Sequence, residues 1–154
     1  MMNVQILCIG KLKEAYWREA CAEYAKRLRA FCNFTITELP DNPSQALIDK
    51  ALEEEGEKLL AAAKGSALIP LCIEGKELDS PSLARKMGEL ASQGTSSVSF
   101  VIGSSFGLSP KVKKAGVLRL SMSPMTFPHQ LARVMLCEQI YRAFQIQNHG
   151  KYHK

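Results

Sequence analysis

The sequence predicts an α/β protein: a single domain over residues 1–154, with a parallel-type sheet and helices on both faces. Three observations carry this. Short apolar runs alternate with segments of helical periodicity along the whole chain, which implies strands joined by helical crossovers. Helix start and stop residues fall between those runs, with Ser-Pro at 80–81 and 109–110 and Gly at 65 and 116. The length of 154 residues, 46% of them hydrophobic, suffices for one packed core and hardly for two.

The elements follow in order. Val4–Ile9 reads as a strand. Glu14–Phe31 reads as a helix, because Trp17, Cys21, Tyr24 and Leu28 recur at three- and four-residue steps. Phe34–Leu39 is a strand stopped by Pro40. Ser44–Lys64 is a helix closed by Gly65. Ala67–Ile73 is a strand. Ser80 is read as an N-cap with Pro81 in the first helical position, opening a helix to about Gln93. Ser97–Ile102 is a strand, Ser109-Pro110 opens a short helix, and Val117–Ser121 is a further strand. Thr126–Gln147 is mainly a long helix, followed by the tail HGKYHK.

Composition narrows the function classes. No apolar run approaches the ~20 residues that span a bilayer, and MMNVQILCIGKLKE lacks the basic start and long apolar stretch of a signal peptide. The five cysteines are odd in number, widely spaced and form no C-x-x-C, so a reducing cytoplasm is expected rather than a disulfide framework. The charge is uneven. Residues 1–102 carry 12 Lys/Arg against 14 Asp/Glu, whereas residues 103–154 carry 8 against Glu138 alone, together with all three histidines. That asymmetry suits either a polyanion partner or a solvated basic face.

Ligands of parallel sheets bind beyond the C-terminal ends of strands. Three ends stand out: Leu71–Glu74, Gly103–Gly107 and Ser121–Phe127. The second, Gly103-Ser104-Ser105-Phe106-Gly107, matches the G-x-S-x-G of a hydrolase nucleophile elbow. That motif needs a helix directly after the serine, and here the start signal comes four residues later. Its triad partners could only be Glu138 and His149 or His153, and Glu138 lies four residues before Arg142, a routine helical pair. A small-residue loop lining a cofactor cleft is the competing reading.

On the long helix Ala132, Leu136, Cys137, Ile140, Ala143 and Phe144 share one face. His129 and Arg133 fall on the same face, and Cys137 reads as core. A buried guanidinium needs a partner; that partner is either a ligand or a structural acid, including one across a subunit interface. Further apolar residues outside the stripe suggest burial on two sides, as in a subunit contact. In the tail, His149 and His153 lack a third metal ligand nearby, so no metal is expected. Lys151, Tyr152, His153 and Lys154 suit phosphate contact and base stacking, or a frayed end. The loop SMSPMTFPHQ, uncharged before His129, suits presentation of backbone groups to an adenine-like ligand.

MTFPHQLARVMLCEQIYRAFQI and KYHK resemble the C-terminal signature of the RlmH family, SPOUT-class RNA methyltransferases acting on large-subunit ribosomal RNA. ILCIGKLKEAYWREACAEYAKRL, EEEGEKLLAAA and LCIEGKELDSPSLA are similar to the same family, so the resemblance spans nearly the whole chain. It implies a SPOUT-like methyltransferase domain with a C-terminal trefoil knot, working as a cytoplasmic homodimer without membrane or metal. It implies S-adenosylmethionine as cofactor and N3 methylation of a pseudouridine in 23S rRNA on assembled ribosomes. Carried over by position, the cofactor site is Leu71, Gly103, Ser104, Ser123, Pro124, Met125, Thr126, Phe127 and Pro128. The RNA side is His129, Arg133, Tyr152, His153 and Lys154. His129 is the candidate base, and Arg133 the stabiliser of charge on the uracil ring. A catalytically silent ribosome- or RNA-binding module, a methyltransferase with another RNA target, and a serine hydrolase using Ser105 are the alternatives.

One departure falls in the small-residue loop. The family usually reads I-G-G-x-x-G with a polar or acidic residue before the last glycine; this chain has Ser104 at the second glycine and Phe106 at the polar position. A serine there is strained by ~1 kcal/mol if the position has positive φ, or crowds the cofactor if glycine serves close approach.

Overall fold

The computed structural model describes residues 1–41 and 47–154. Five strands and five helices alternate: β1 Asn3–Ile9, α1 Ala15–Leu28, β2 Asn33–Leu39, α2 Ile48–Ala62, β3 Ala67–Glu77, α3 Ser80–Ser92, β4 Ser97–Ile102, α4 Pro110–Ala115, β5 Leu120–Ser121 and α5 His129–Gln147. The strands form one sheet in the order β2-β1-β4-β3-β5. Every pairing is parallel. The predicted helix start at Ser44 lies outside the described residues.

Alternation along the strands sorts side chains to two apolar layers. Val4, Ile6 and Cys8 of β1, with Val98, Phe100 and Ile102 of β4, pack on α1, α3 and α5. Leu7, Ile9 and Val101 point the other way and pack on Leu59 of α2 and Val112 of α4. Helices therefore cover both faces, as the alternating pattern predicts.

Several element boundaries differ from the sequence reading: β3 runs to Glu77 rather than ending at Ile73, because Lys76 and Glu77 pair with β5 beyond a bulge, and four others shift for the following reasons. Helix α1 stops at Leu28, because the Leu28 carbonyl accepts from both Phe31 N and Cys32 N and turns the chain into β2. Helix α3 is capped by Asp79, not Ser80: the Asp79 carboxylate accepts from Ser82 N at 2.8 Å, while Ser80 Oγ bonds Gln139 on α5 at 2.6 Å. Helix α5 begins at His129, since Pro128 disfavours helical backbone at Phe127 before it. Strand β5 shrinks to two residues. The preceding Gly116 lies against the ring of Pro70, which has no N–H to offer a ladder.

At the β3–β5 edge the register breaks. Leu71 and Lys76 both pair with Leu120, so Cys72–Gly75 bulge outward. Gly75 makes this possible: a Cβ there would sit 2.7 Å from the Arg119 carbonyl oxygen.

Candidate functional site

The bulge within β3, the turn after β4 and the loop after β5 surround one cavity of about 610 Å³, within the ~300–1,000 Å³ range of small-molecule sites. These are the three strand ends singled out in the sequence. Leu71, Gly103, Ser104, Ser123, Met125, Thr126, Phe127 and Pro128 all line it, and Pro124 does not. His129 and Ala132, on the first turn of α5, close one wall.

The β4 turn is tightly built. Gly107 N donates to the Ser104 carbonyl at 2.9 Å, and Ser104 Oγ accepts from Phe106 N at 3.4 Å. Gly107 takes φ 88°, where only glycine sits freely. Among the described non-glycine residues only His149 has positive φ, so Ser104 carries no left-handed strain. Its hydroxyl is turned onto the backbone of its own turn. Gly103 cannot be enlarged: a Cβ would lie 2.2 Å from the Gly107 carbonyl oxygen.

Sequence reasoning missed the charged rim. Lys113 Nζ meets Glu74 Oε1 at 2.6 Å, and both residues line the cavity. The Lys113 hydrogen bond holds the Glu74 carboxyl below its ordinary range. Nothing in the local pattern pairs a residue in the β3 bulge with one on α4; only the fold brings them together.

Arg133 is 2% exposed and is not among the residues that line the cavity. Its Nη1 bonds Glu38 Oε2 at 2.7 Å and its Nη2 the Gly10 carbonyl at 3.1 Å, while Nε has no partner among the described residues. The buried guanidinium has its acid within the same chain. Glu38 also accepts from Leu12 N at 3.0 Å, so this cluster ties α5 to the ends of β1 and β2.

The tail lies elsewhere. Tyr152 packs edge-on against Tyr141, with ring centres 4.8 Å apart, and donates to Glu138 Oε1 at 3.1 Å. Burial pushes its phenol up to about 12. Arg142 reaches His153 Nδ1 at 3.0 Å and stands over the Tyr152 ring. Lys154 is exposed. Glu138 lies nine residues along α5 from His129, roughly 14 Å away, so the tail does not meet this chain's own cavity. The hydrolase reading fails on the same geometry: Glu138 and His153 are engaged on α5, and neither lines the cavity with Ser105. His149 and His153 are not brought to a metal cluster; among the described residues no group of three His, Cys, Asp or Glu could hold one. All five cysteines are buried and free. Burial pushes the Cys8 thiol up to about 12 and Cys32 to about 11. No helix of the described residues is long and apolar enough to cross a membrane.

A parallel sheet with a deep cleft beyond its strand ends, walled by small-residue turns, defines a protein that holds a small organic ligand at the sheet edge. Comparison with known proteins gives the class. A family model described as "Predicted SPOUT methyltransferase" matches residues 2–153, and the chain belongs to that family. It is 45% identical over 159 aligned positions to the ribosomal RNA large subunit methyltransferase H of Levilactobacillus brevis, covering 99% of this chain and 100% of that one. The proteins of the same name from Ligilactobacillus salivarius, at 46%, and Bifidobacterium animalis subsp. lactis, at 45%, match over the same shares. Among solved structures, a probable methylase family protein of Haemophilus influenzae superposes with a TM-score of 0.60 at 15% identity, covering 99% of this chain and 71% of that one; this likeness speaks to the fold.

Proposed function

We propose that this protein is an S-adenosylmethionine-dependent methyltransferase of large-subunit ribosomal RNA, modifying N3 of a pseudouridine on the assembled ribosome. The observation that carries the reading is the cleft formed by the β3 bulge and the β4 and β5 ends, in a chain whose full-length relatives bear that enzyme's name.

The residues fit the cofactor. Leu71, Ile102, Leu120 and Phe127 offer apolar walls for a purine, the β4 turn and the loop at Ser123–Pro128 offer backbone groups to its edges, and the Glu74–Lys113 pair offers both signs of charge to an amino-acid moiety. The bound cofactor supplies an electrophilic methyl group on a sulfonium. The chain's part is positioning, which dominates catalysis of such a displacement. His129, at the open wall of the cleft, contacts the RNA and accepts the proton from the target nitrogen. Arg133 acts as a positioning residue, holding the first turn of α5 against Glu38 and Gly10.

The protein works as a homodimer with a C-terminal trefoil knot. Tyr152 and His153 pack on α5 away from their own cleft and Lys154 follows them, exposed, so their RNA role requires delivery to the cleft of a second copy. The protein acts in the cytoplasm, where assembled ribosomes are found.

The test is calorimetric titration with S-adenosylmethionine followed by methylation of ribosomes lacking the modification. One micromolar-range site per subunit and stoichiometric methyl transfer are expected. Saturable ribosome binding without transfer would favour the silent binding module instead.

A further inference from the structure

A second surface adjoins the cleft, in a part of the chain whose overall charge points away from RNA. β1 and β4 are neighbours in the sheet, and Cys8 stands opposite Ile102 at the end of their ladder. The loops that leave them, residues 10–14 after β1 and 103–109 after β4, therefore emerge side by side at one edge. The β4 loop is the wall of the cleft.

The β1 loop is held in a defined shape. Gly10 O and Leu12 N are bound by Arg133 and Glu38, one helical turn from His129. Arg18 donates to the carbonyls of Leu12, at 3.2 Å, and Lys13. Leu12 points inward and is buried, and Lys11, Lys13 and Tyr16 are thrown outward. Neither lysine has an ion pair among the described residues. Exposed Glu14 lies in the same loop and Asp41 beside Gly10, and neither neutralises them by contact. Tyr16 is 63% exposed and braced edge-on by Trp17, at 5.1 Å between ring centres. On the neighbouring loop Phe106 is 45% exposed at the tip of the hydrogen-bonded β4 turn. Solvent-facing Tyr16 and Phe106 rings, with outward Lys11 and Lys13 on the loop that leads into Tyr16, are the composition of a single-strand platform, where bases stack and phosphates pair.

We propose that these two loops form a landing platform for the single-stranded RNA that flanks the target nucleotide. Lys11 and Lys13 meet its phosphates, and Tyr16 and Phe106 stack on unpaired bases. The proposal rests on the methyltransferase reading above and extends the RNA-contacting surface beyond the basic C-terminal third.

The experiment uses the full-length protein, a short fluorescein-labelled unstructured RNA, and ribosomes. For Lys11→Gln/Lys13→Gln, RNA affinity should fall about tenfold, and the slope of log affinity against log salt should shrink by about 1.4, two single-strand contacts. Tyr16→Ala should cost about fivefold or more, and Tyr16→Phe should restore stacking. S-adenosylmethionine affinity and melting temperature should stay at wild-type values in all three. If the double and Tyr16→Ala variants bind RNA and methylate ribosomes like the wild type, the platform is overturned while the methyltransferase reading stands. If Tyr16→Ala instead halves the particle mass in light scattering, the ring serves protein contact and the platform is likewise overturned. If the wild type binds RNA through these residues yet transfers no methyl group, the platform stands and the methyltransferase reading falls.

Discussion

On one side of the sheet β1 pairs with β2 over seven consecutive positions and with β4 over six, residue for residue. On the other side β5 contributes two residues, and one of them pairs twice with β3 across an outward bulge. The regular side carries the β1 core and covers it with helices. The irregular side frees backbone from the ladder, and the cleft opens there. Regular pairing satisfies polar groups and leaves no room; a bulge leaves groups unpaired and a hollow beside them. Stability and binding are thus assigned to different parts of one sheet, and the Glu38–Arg133 cluster bridges them.

The sharpest test of that division is Gly103→Ala. Its Cβ would collide with the Gly107 carbonyl, so the β4 turn must move. S-adenosylmethionine binding should weaken about a hundredfold or more, ~2.7 kcal/mol, in calorimetry. Wild-type affinity in this variant would show that the turn is not a cofactor wall.

A smaller effect on the cleft, with the loss falling on global stability instead, is expected from Glu38→Ala, which strips Arg133 of its carboxylate. Breaking a buried pair costs about 3–5 kcal/mol, and water reaching the one-third-exposed Glu38 side chain places the loss at the low end. Chemical denaturation should register this as lowered global stability, with cofactor affinity altered far less than by Gly103→Ala. A reversal of that order would mean the bridge belongs to the site rather than to the scaffold.

Least is expected at the rim. The Lys113 hydrogen bond depresses the Glu74 carboxyl, so its stabilisation is present above the unfolded carboxylate value of ~4.3 and is lost as pH falls through the lower folded value. Glu74 is 56% exposed, and such pairs contribute at most about 1 kcal/mol. The Glu74→Gln variant should melt slightly below wild type at pH 7, with the gap closing at strongly acid pH. A gap that persists in acid would assign the loss to packing instead of charge.

Much of this division can be read in the chain. Apolar alternation and the Ser-Pro and Gly signals located the elements, because they report local backbone preference and which face is buried. The three strand ends that line the cleft follow from the parallel α/β class, and most of the loop at Ser123–Pro128 was placed there by resemblance to a family. The boundaries that shifted, at Asp79, Pro128 and Pro70, did so where a side chain found a partner or lacked a donor.

Other features depended on distant residues. Composition and spacing showed that a buried Arg133 needs a partner, but Glu38 lies 95 positions away and joins it only when β2 and α5 pack. Whether Ser104 is strained turned on one backbone angle, which follows from the turn its neighbours close. Lys11, Lys13 and Tyr16 sit in residues 1–102, the part of the chain with a net acidic balance. Local periodicity specifies which elements form and which side of each is apolar. It holds no information on which ends become neighbours, because that is set by strand order, and strand order is a property of the packed sheet.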